Sequence, residues 1–375
     1  DHFKQAHMGL MSLLMLLPYA GLMIVLVNNS TRQNKHTAAK ASDVFTRFSI
    51  IIPFRNEANN IERLLSALKQ QKYPQSAFEL IFINDQSTDH GPELLLELLD
   101  NCALDAQLSH TYGTSLSPKK TAITLGIGLS CHPWIITIDA DTTMGPNWLN
   151  AFNDLITGQQ PDFIAGPVRL IGKHSLLFAI QNIEFSALQL LTQYSFQNNP
   201  ILCNGANLAF KHDVFKALEG YKGNEHIASG DDVFLLRKVA QSQKYQAVYL
   251  SDDRGLVYTE STERWSALWH QRMRWASKTS AIRSWRLSAI ALLILSTNLY
   301  LIFLFIMTIS GMVSWPIMVT NFVFKLVFDL ILLQRPKAQN PSMTTLLYIL
   351  CGSLIYPPFI MTLALLSPWG RYVWK

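Results

Sequence analysis

Apolar positions along this chain follow two regimes. In four stretches, Met8–Val27, Leu287–Ile309, Val313–Leu333 and Met343–Leu366, apolar residues run almost without interruption. Each is close to the roughly 20 residues that cross a bilayer. Between the first and the second, short apolar runs alternate with amphipathic segments. Phe48–Pro53, Phe78–Ile83 and Trp134–Ile138 are continuous runs of the kind that form buried strands, and Ala106–His110 is a weaker one. Asn59–Gln70 carries Ile61, Leu64, Leu65 and Leu68 at helical spacing, and Gly91–Leu99 and Pro118–Leu129 read as the next helices. Strands alternating with helices predict an α/β fold with a mostly parallel sheet and right-handed crossovers. Beyond Asp141 the alternation weakens. Phe163–Val168, Asn207–Lys211 and Ala247–Leu250 read as short strands amid helices.

Composition adds where the excess lies. Of 375 residues, 49% are hydrophobic and 15% charged, well below the roughly 25% charged of a soluble domain. The apolar surplus falls in the four long stretches, so the chain is expected to be a membrane protein with one sizeable extramembrane domain. Met8–Val27 is expected to be a retained anchor rather than a signal peptide. Its apolar core is long, and Asn28-Asn29-Ser30-Thr31-Arg32 follows in place of a small-residue cleavage site. The expected organisation is a transmembrane helix over 8–27, a globular domain over 48–260, an interfacial helix over 261–285 and a C-terminal membrane region over 287–366. That last region holds about three helices, with a break expected at Tyr356-Pro357-Pro358.

Charge sets the orientation. Arg32, Lys35, Lys40 and Arg47 follow the first span, and Arg272, Arg274, Lys278, Arg283 and Arg286 precede the second. Basic flanks stay in the cytoplasm, which places the globular domain there. Arg335 and Lys337 agree, whereas Arg371 and Lys375 fall on the far side if the fourth span is complete. These flanks account for the net charge of +5, and no separate basic stripe points to nucleic acid. Cys102, Cys131, Cys203 and Cys351 are scattered without a Cys-x-x-Cys, and the histidines fall in no metal-ligand spacing. Within the third span, Lys325 and Asp329 are four apart and can pair on one helix face.

Candidate chemistry lies at the carboxyl ends of the strands, which converge on one edge of a parallel sheet. They carry Arg55-Asn56-Glu57, Asn84-Asp85-Gln86-Ser87-Thr88-Asp89 and Asp139-Ala140-Asp141, with Lys119 and Lys120 opening a crossover helix. Asp139 and Asp141 alone also read as a turn capping the next helix, with Asp141 near the N-cap. Together with the other ends, they describe a nucleoside diphosphate site. Carboxylates accept hydrogen bonds from base and ribose, a divalent cation clamps the phosphates, and lysine adds compact positive charge. No Gly-rich phosphate loop follows any strand, so phosphate binding rests on metal and lysine. Asp231 and Asp232 open an amphipathic segment and also suit a helix N-terminus. Thr262–Ser280 mixes Trp265, Trp269 and Trp275 with basic residues, the composition of an interfacial helix.

Ile50–Glu57, Phe82–Asp89, Lys119–Ile127, Asp139–Asp141, Gly205–Asn207, Gly230–Asp232 and Gln271–Trp275 form an ordered set. In that order and approximate spacing the chain resembles the membrane-bound members of glycosyltransferase family 2, which include cellulose, hyaluronan and poly-N-acetylglucosamine synthases. The likeness covers roughly Phe48 to Lys278 and reaches into the flanking spans. It implies a GT-A-type, Rossmann-like domain in the cytoplasm with flanking transmembrane helices. It implies that Asp85 contacts the nucleotide base with Glu57 beside it, that Lys119 lies near the nucleotide, and that Asp139 and Asp141 hold Mn²⁺ or Mg²⁺. It makes Asp232 the general base, with Asp231 as fallback. It puts Asn207 at the floor of the acceptor site, and Gln271, Arg274 and Trp275 at the diphosphate and acceptor sugar. Two positions depart from the family's pattern: Asn84 stands where many members have aspartate, and Asp231 where glutamate is common.

The implied activity is inverting transfer of a hexose from a nucleotide-sugar, UDP-linked by expectation, to a polysaccharide or lipid-linked acceptor at the inner membrane. Accessory polysaccharide-export subunits would be natural partners. The alternatives are single addition to a glycolipid, as in ceramide glucosyltransferases, and an inactive nucleotide-binding scaffold subunit. Gln-x-x-Arg-Trp favours the polysaccharide, while the small number of spans favours the glycolipid.

Overall fold

The computed structural model describes residues 2–33, 44–100, 102–197, 199–227, 229–282, 284–333 and 343–366. Lys35, Lys40, Arg283, Arg335, Lys337, Arg371 and Lys375, used above for orientation, lie outside them. The chain forms two compact units. One gathers the N-terminal helices α1 (His2–Leu14) and α2 (Leu17–Gln33), residues 172–190, and the chain from Ser261 onward. The other is built from 44–171 and 191–260 and carries both sheets.

In the sheet unit, β1 (Phe48–Phe54) leads to α3 (Ala58–Lys69), β2 (Phe78–Asn84) to α4 (Gly91–Asp100), and β3 (Ala106–His110) to α5 (Pro118–Leu129). Then β4 (Trp134–Thr137) runs into the acidic pair, followed by β5 (Thr142–Met144), α6 (Trp148–Gln159), β6 (Phe163–Ala165) and β7 (Val168–Ile171). Helix α7 (Leu176–Ser195) follows, and β8 (Leu208–Lys211), α8 (His212–Ala217), α9 (Asp231–Ser242), β9 (Ala247–Tyr249) and β10 (Val257–Glu260) complete the elements.

The large sheet has the order β3-β2-β1-β4-β8-β6-β9. β3, β2, β1 and β4 are parallel, and β8 lies antiparallel between β4 and β6. Register explains why its strands read as unbroken apolar runs. Ile50 and Ile52 of β1, Leu80 and Phe82 of β2, and Ile136 of β4 pack on one face with Leu64 of α3, Leu95 of α4 and Phe152 of α6. Their neighbours Ile51, Ile81, Ile83 and Ile135 pack on the other face with Ile123 and Ile127 of α5 and Leu236 of α9. A sheet covered on both faces has no solvent side, so alternation disappears.

Two features depart from the expected pattern. The run Phe163–Val168 is not one strand, because β6 belongs to the large sheet and β7 to a second sheet of order β5-β10-β7. The break falls at Gly166 and Pro167. A Cβ on Gly166 would come 2.2 Å from Asn207 Nδ2, and Pro167 lacks the amide hydrogen a ladder needs. The second sheet itself, with strands of three and four residues, has no apolar run to announce it. At the amino edge of the large sheet, Glu79 Oε1 accepts from Ser49 Oγ at 2.5 Å, from Cys131 N at 2.8 Å and from Cys131 Sγ at 3.1 Å. The Cys131 thiol and His132 ring lie within 4.8 Å of this carboxylate, a proximity that residue spacing had not suggested.

The other unit is all helical, with α10 (Trp265–Ile282), α11 (Trp285–Ile309), α12 (Trp315–Ile331) and α13 (Met343–Leu366) after the N-terminal pair and the start of α7. Helices α11 and α13, of 25 and 24 residues, are long and apolar enough to cross a membrane. At 1.5 Å per residue they reach about 36 Å, against a hydrocarbon core of about 30 Å. The expected single helix over Met8–Val27 is a pair bent by 46°, and counted as one span it would be the third. The bend has a covalent cause: Pro18 has no N–H to give Leu14, four residues back, so the first helix ends at Leu14. α12 has only 17 residues. The break expected at Tyr356-Pro357-Pro358 does not occur, and α13 is continuous with both prolines inside it. The two rings remove amide donors toward Ser353 and Leu354 only, a loss that helices packed among other helices tolerate.

This unit buries a compact ionic group. Lys325 Nζ lies 2.5 Å from Asp329 Oδ2, and Tyr19 OH donates to Asp329 Oδ1 at 2.5 Å. The ammonium is also 5.7 Å from the ring centres of Tyr19 and Tyr356. The helix-face pairing expected from the spacing is present. Residues 172–190, expected within the globular domain, belong to the helical unit instead. Glu184 of α7 pairs there with Arg272 of α10 at 2.6 Å, a partner that no local pattern announces.

Candidate active site

Within the sheet unit, the carboxyl ends of β1, β2 and β4 and the starts of α5 and α9 converge on one polar edge. β4 ends at Asp139, where the chain turns: Thr142 N and Oγ1 both donate to Asp139 O, at 3.2 and 2.7 Å. The turn leaves both carboxylates at the sheet edge. Asp139 Oδ1 accepts from Lys119 Nζ at 2.6 Å. Asp141 Oδ2 accepts from Thr259 Oγ1 of β10 at 3.3 Å, and its carbonyl accepts from Arg63 Nη2 of α3 at 3.2 Å. The second sheet therefore anchors the second carboxylate.

Lys119 is the centre of the cluster. Its Nζ also lies 3.4 Å from Asp231 Oδ2. Burial alone would lower the pKa of this ammonium, but Asp139, then Asp231 and Asp232, hold it far above the ordinary lysine value. Lys119 is therefore a fixed positive charge. Lys120, one position on, faces another way. It donates to Asn224 O at 2.7 Å, Asn224 Oδ1 at 2.9 Å and Ile227 O at 2.8 Å. Ser117 also donates to the carbonyls of Glu225 and Ile227. Together they tie the segment before α9 to the start of α5.

Asp231 and Asp232 open α9 behind Gly230, whose φ of 88° is a left-handed value that favours glycine. Both carboxylates are buried, in a helix first turn where negative charge is favourable. Gly205 N donates to Asp232 Oδ2 at 3.2 Å. A Cβ on Gly205 would stand 2.8 Å from Asp231 Oδ2 and 3.4 Å from Lys119 Nζ. The Gly205-Ala206-Asn207 turn thus needs a glycine where it meets the acids. Nearby Tyr221 is buried, and burial, then Asp231 and Asp232, push its phenol well above the ordinary value.

At the β2 end, Asp85 is 4% exposed. Thr111 Oγ1 donates to its Oδ1 at 2.7 Å, while Oδ2 has no hydrogen-bond donor and lies 4.0 Å from Arg55 Nη1. The neighbouring Asn84 is committed to structure. Its Oδ1 accepts from Ser87 N at 2.9 Å and its amide nitrogen meets His110 Nδ1 at 3.0 Å. Glu57 caps the start of α3, and its Oε2 accepts from Asn60 Nδ2 at 2.6 Å.

One expected site assignment changes. Asn207 is fully buried. Its Nδ2 donates to Pro167 O and Gly255 O, both at 2.9 Å, and its Oδ1 accepts from Trp148 Nε1 at 3.1 Å. Both amide hydrogens are used inside the fold, so Asn207 joins the two sheets and offers nothing to a ligand. Gln271, Arg274 and Trp275 lie on α10, within the helical unit. Thr111, Thr259, Arg63 and the Gly205 amide were not anticipated. They act through contacts distant in sequence, and only the Lys119-Lys120 pair carried a signal, since adjacent helical residues point about 100° apart.

The cluster also bears on a divalent cation. Three carboxylates, Asp139, Asp231 and Asp232, act on one ammonium, and Asp141 adds a fourth at the same turn. The donor set is oxygen-rich and carries surplus negative charge, which is what a hard divalent cation requires. The residues fit Mn²⁺ or Mg²⁺.

Residues 134–365 match the family described as glycosyl transferase family group 2, and residues 49–218 match glycosyl transferase family 2. The chain belongs to that family. It is 25% identical over 197 residues to glycosyltransferase AglE of Haloferax volcanii, covering 52% of this chain and 61% of that protein. It is 26% identical over 234 residues to a poly-beta-1,6-N-acetyl-D-glucosamine synthase of Staphylococcus epidermidis, covering 61% of this chain and 53% of that protein. The chain thus spans a little over half the length of the curated relatives it matches. Among solved structures, the mannosyltransferase PcManGT of Pyrobaculum calidifontis, in complex with GDP-Man and Mn²⁺, aligns with a TM-score of 0.57 at 14% identity, over 96% of this chain and 99% of that one. That likeness gives the fold, the GT-A-type architecture expected from the ordered motifs.

Proposed function

We propose that the chain transfers a hexose from a nucleoside diphosphate sugar, with inversion, to a polysaccharide or lipid-linked acceptor at a membrane. One observation carries the reading: a fixed ammonium, Lys119, held among Asp139, Asp231 and Asp232 at the carboxyl edge of a parallel sheet.

In this reading Asp85 meets the nucleotide base through Oδ2, which accepts no hydrogen bond within the fold, with Glu57 beside it. Asp139 and Asp141 would hold Mn²⁺ or Mg²⁺, which when bound draws charge off the diphosphate. Lys119 adds a positive charge that does not titrate near neutrality and keeps Asp139 in place. Asp232 removes the acceptor hydroxyl proton. Asp231, which lies 3.4 Å from Lys119, is the fallback base. The acceptor oxygen bonds to the anomeric carbon as the bond to the diphosphate breaks, and a single displacement from the opposite face inverts the centre. Gln271, Arg274 and Trp275 are proposed to meet the diphosphate and acceptor sugar.

The polysaccharide branch is supported by the relatives named as polymer synthases, and accessory export subunits would suit it. Among the described residues two helices are long and apolar enough to cross a membrane, or three with the bent pair, and this small number favours a second reading, single addition to a lipid. In either case α11 and α13 are proposed to cross the inner membrane with the sheet unit in the cytoplasm. The test is turnover by membranes containing the protein, with UDP- and GDP-linked sugars, with and without Mn²⁺. Donor consumption that needs the metal is expected. No turnover with any donor would sink the transferase reading in favour of a nucleotide-binding scaffold, and a product stopping at one added sugar would sink the polymerising branch.

A further inference from the structure

Within Gln271-Arg272-Met273-Arg274-Trp275, the residue most deeply buried among the cations is Arg272, at a position that Gln-x-x-Arg-Trp leaves unspecified. Its side chain is 2% exposed. Nε donates to Glu184 Oε2 of α7 at 2.6 Å, and Nη1 donates to Gln271 Oε1 at 2.6 Å. The guanidinium carbon lies 4.2 Å from the ring centre of Trp275, and the Phe185 ring centre lies 6.5 Å from that ring. Nη2 is buried and makes no hydrogen bond. One planar group therefore grips both Gln271 and Trp275, and one carboxylate from a different helix holds that group.

We propose that Arg272, fixed by Glu184, is a positioning residue that sets the orientation of Gln271 and Trp275 for the sugar acceptor and diphosphate. The proposal rests on the transferase reading for what Gln271 and Trp275 touch, and on geometry alone for how they are held. Arginine is required for this. Lysine could keep the ion pair as a point charge, but it has no fork to reach Glu184 and Gln271 together, and no plane to stack on Trp275. Glu184 is required because a buried guanidinium without its carboxylate is strongly unfavourable. A plain structural tie between α7 and α10 would need the ion pair and nothing more, so R272K separates the two roles.

The test uses the full chain in lipid nanodiscs, labelled with 5-fluorotryptophan, the Trp275 resonance being assigned with W275F. In R272K and E184Q the ¹⁹F signal of Trp275 is expected to shift or broaden while the remaining tryptophan signals stay in place. kcat/KM for sugar transfer is expected to fall by up to about 100-fold, the cost of a misplaced contact, mainly in kcat. E184D, which keeps the charge, should recover part of both changes. If E184Q fails to fold, R272K and E184D carry the test. An unmoved Trp275 signal in R272K overturns the proposal, as does a fall in thermal stability with kcat and KM unchanged. Should the wild type consume no donor, the transferase reading fails, and the ¹⁹F signal alone decides whether Arg272 orients Trp275.

Discussion

Two lysines of this chain, Lys325 and Lys119, with side chains 4% and 11% exposed, show how the same ion is used in opposite ways. Lys325 has one carboxylate at 2.5 Å, and that carboxylate has a second donor in Tyr19. Aromatic rings of Tyr19 and Tyr356 complete its surroundings. One ammonium faces one carboxylate, so charge is balanced and the group holds its helices together. Lys119 has Asp139 at 2.6 Å and Asp231 at 3.4 Å, with Asp232 also acting on it. Charge there is out of balance by design of the fold, and the surplus is available to a cation and a diphosphate. A balanced buried pair is structure, whereas an unbalanced one at a sheet edge is a candidate site.

The comparison can be broken most sharply at the acids. Asp232→Asn is expected to lower sugar transfer by about 10²–10⁴-fold, the usual worth of a general base, while leaving nucleotide binding measured by calorimetry intact. Loss of nucleotide binding instead would show that Asp232 belongs to the donor grip.

Next in size is stability at the balanced pair. Lys325→Met strands Asp329 and is expected to cost about 3–5 kcal/mol, read as a lower melting temperature in detergent. The double variant K325M/D329L should recover much of that loss with activity unchanged. At the unbalanced site, no apolar pair replacing Lys119 and Asp139 should restore turnover. Recovery there would erase the distinction.

A smaller effect is expected from Gly205→Ala. Its new Cβ would press on Asp231 Oδ2 at 2.8 Å, so transfer should drop by about 10-fold or more, as a modest displacement of catalytic groups does, with little change in melting temperature. Wild-type kinetics would argue that Asp231 is not held where it works. Smallest is the pH response of Lys119. Its pKa is raised in the fold, so its stabilising charge is complete below the ordinary lysine value and fades only as pH rises past that. Between about pH 6 and 9, the range below the unperturbed lysine value of about 10.4, a K119R variant should keep the wild-type shape of the pH–rate profile. A limb that vanishes with K119R would mean that Lys119 titrates in that window.

The strands and helices before Asp141 were legible because each is a run long enough to show its period. Phe78–Asn84 is apolar on both faces, and α3 spaces Ile61, Leu64, Leu65 and Leu68 for one face. β5, β7 and β10 were not legible as a sheet, because three or four residues cannot display a period, and their pairing joins residues 142–144, 168–171 and 257–260. Asn207 was expected at the acceptor site because Gly205–Asn207 belongs to the ordered set that carries the family resemblance. Its partners Trp148, Pro167 and Gly255 are remote in sequence, so its structural role could be read only from the fold. The prolines of α13 suggested a break because local rules penalise them, and packing among helices overrode the rule.

The order of acids, the lysine before β4 and the apolar spans are properties of the chain itself. They follow from local periodicity and residue chemistry, and they were enough to define an α/β domain, its polar edge and the family resemblance. Only the tertiary structure decided that Asn207 joins the two sheets, that Thr259 supports Asp141, and that Glu184 holds Arg272. Each of those is a contact between residues far apart in sequence. Such a contact depends on where the backbone brings the groups together, which no single segment specifies.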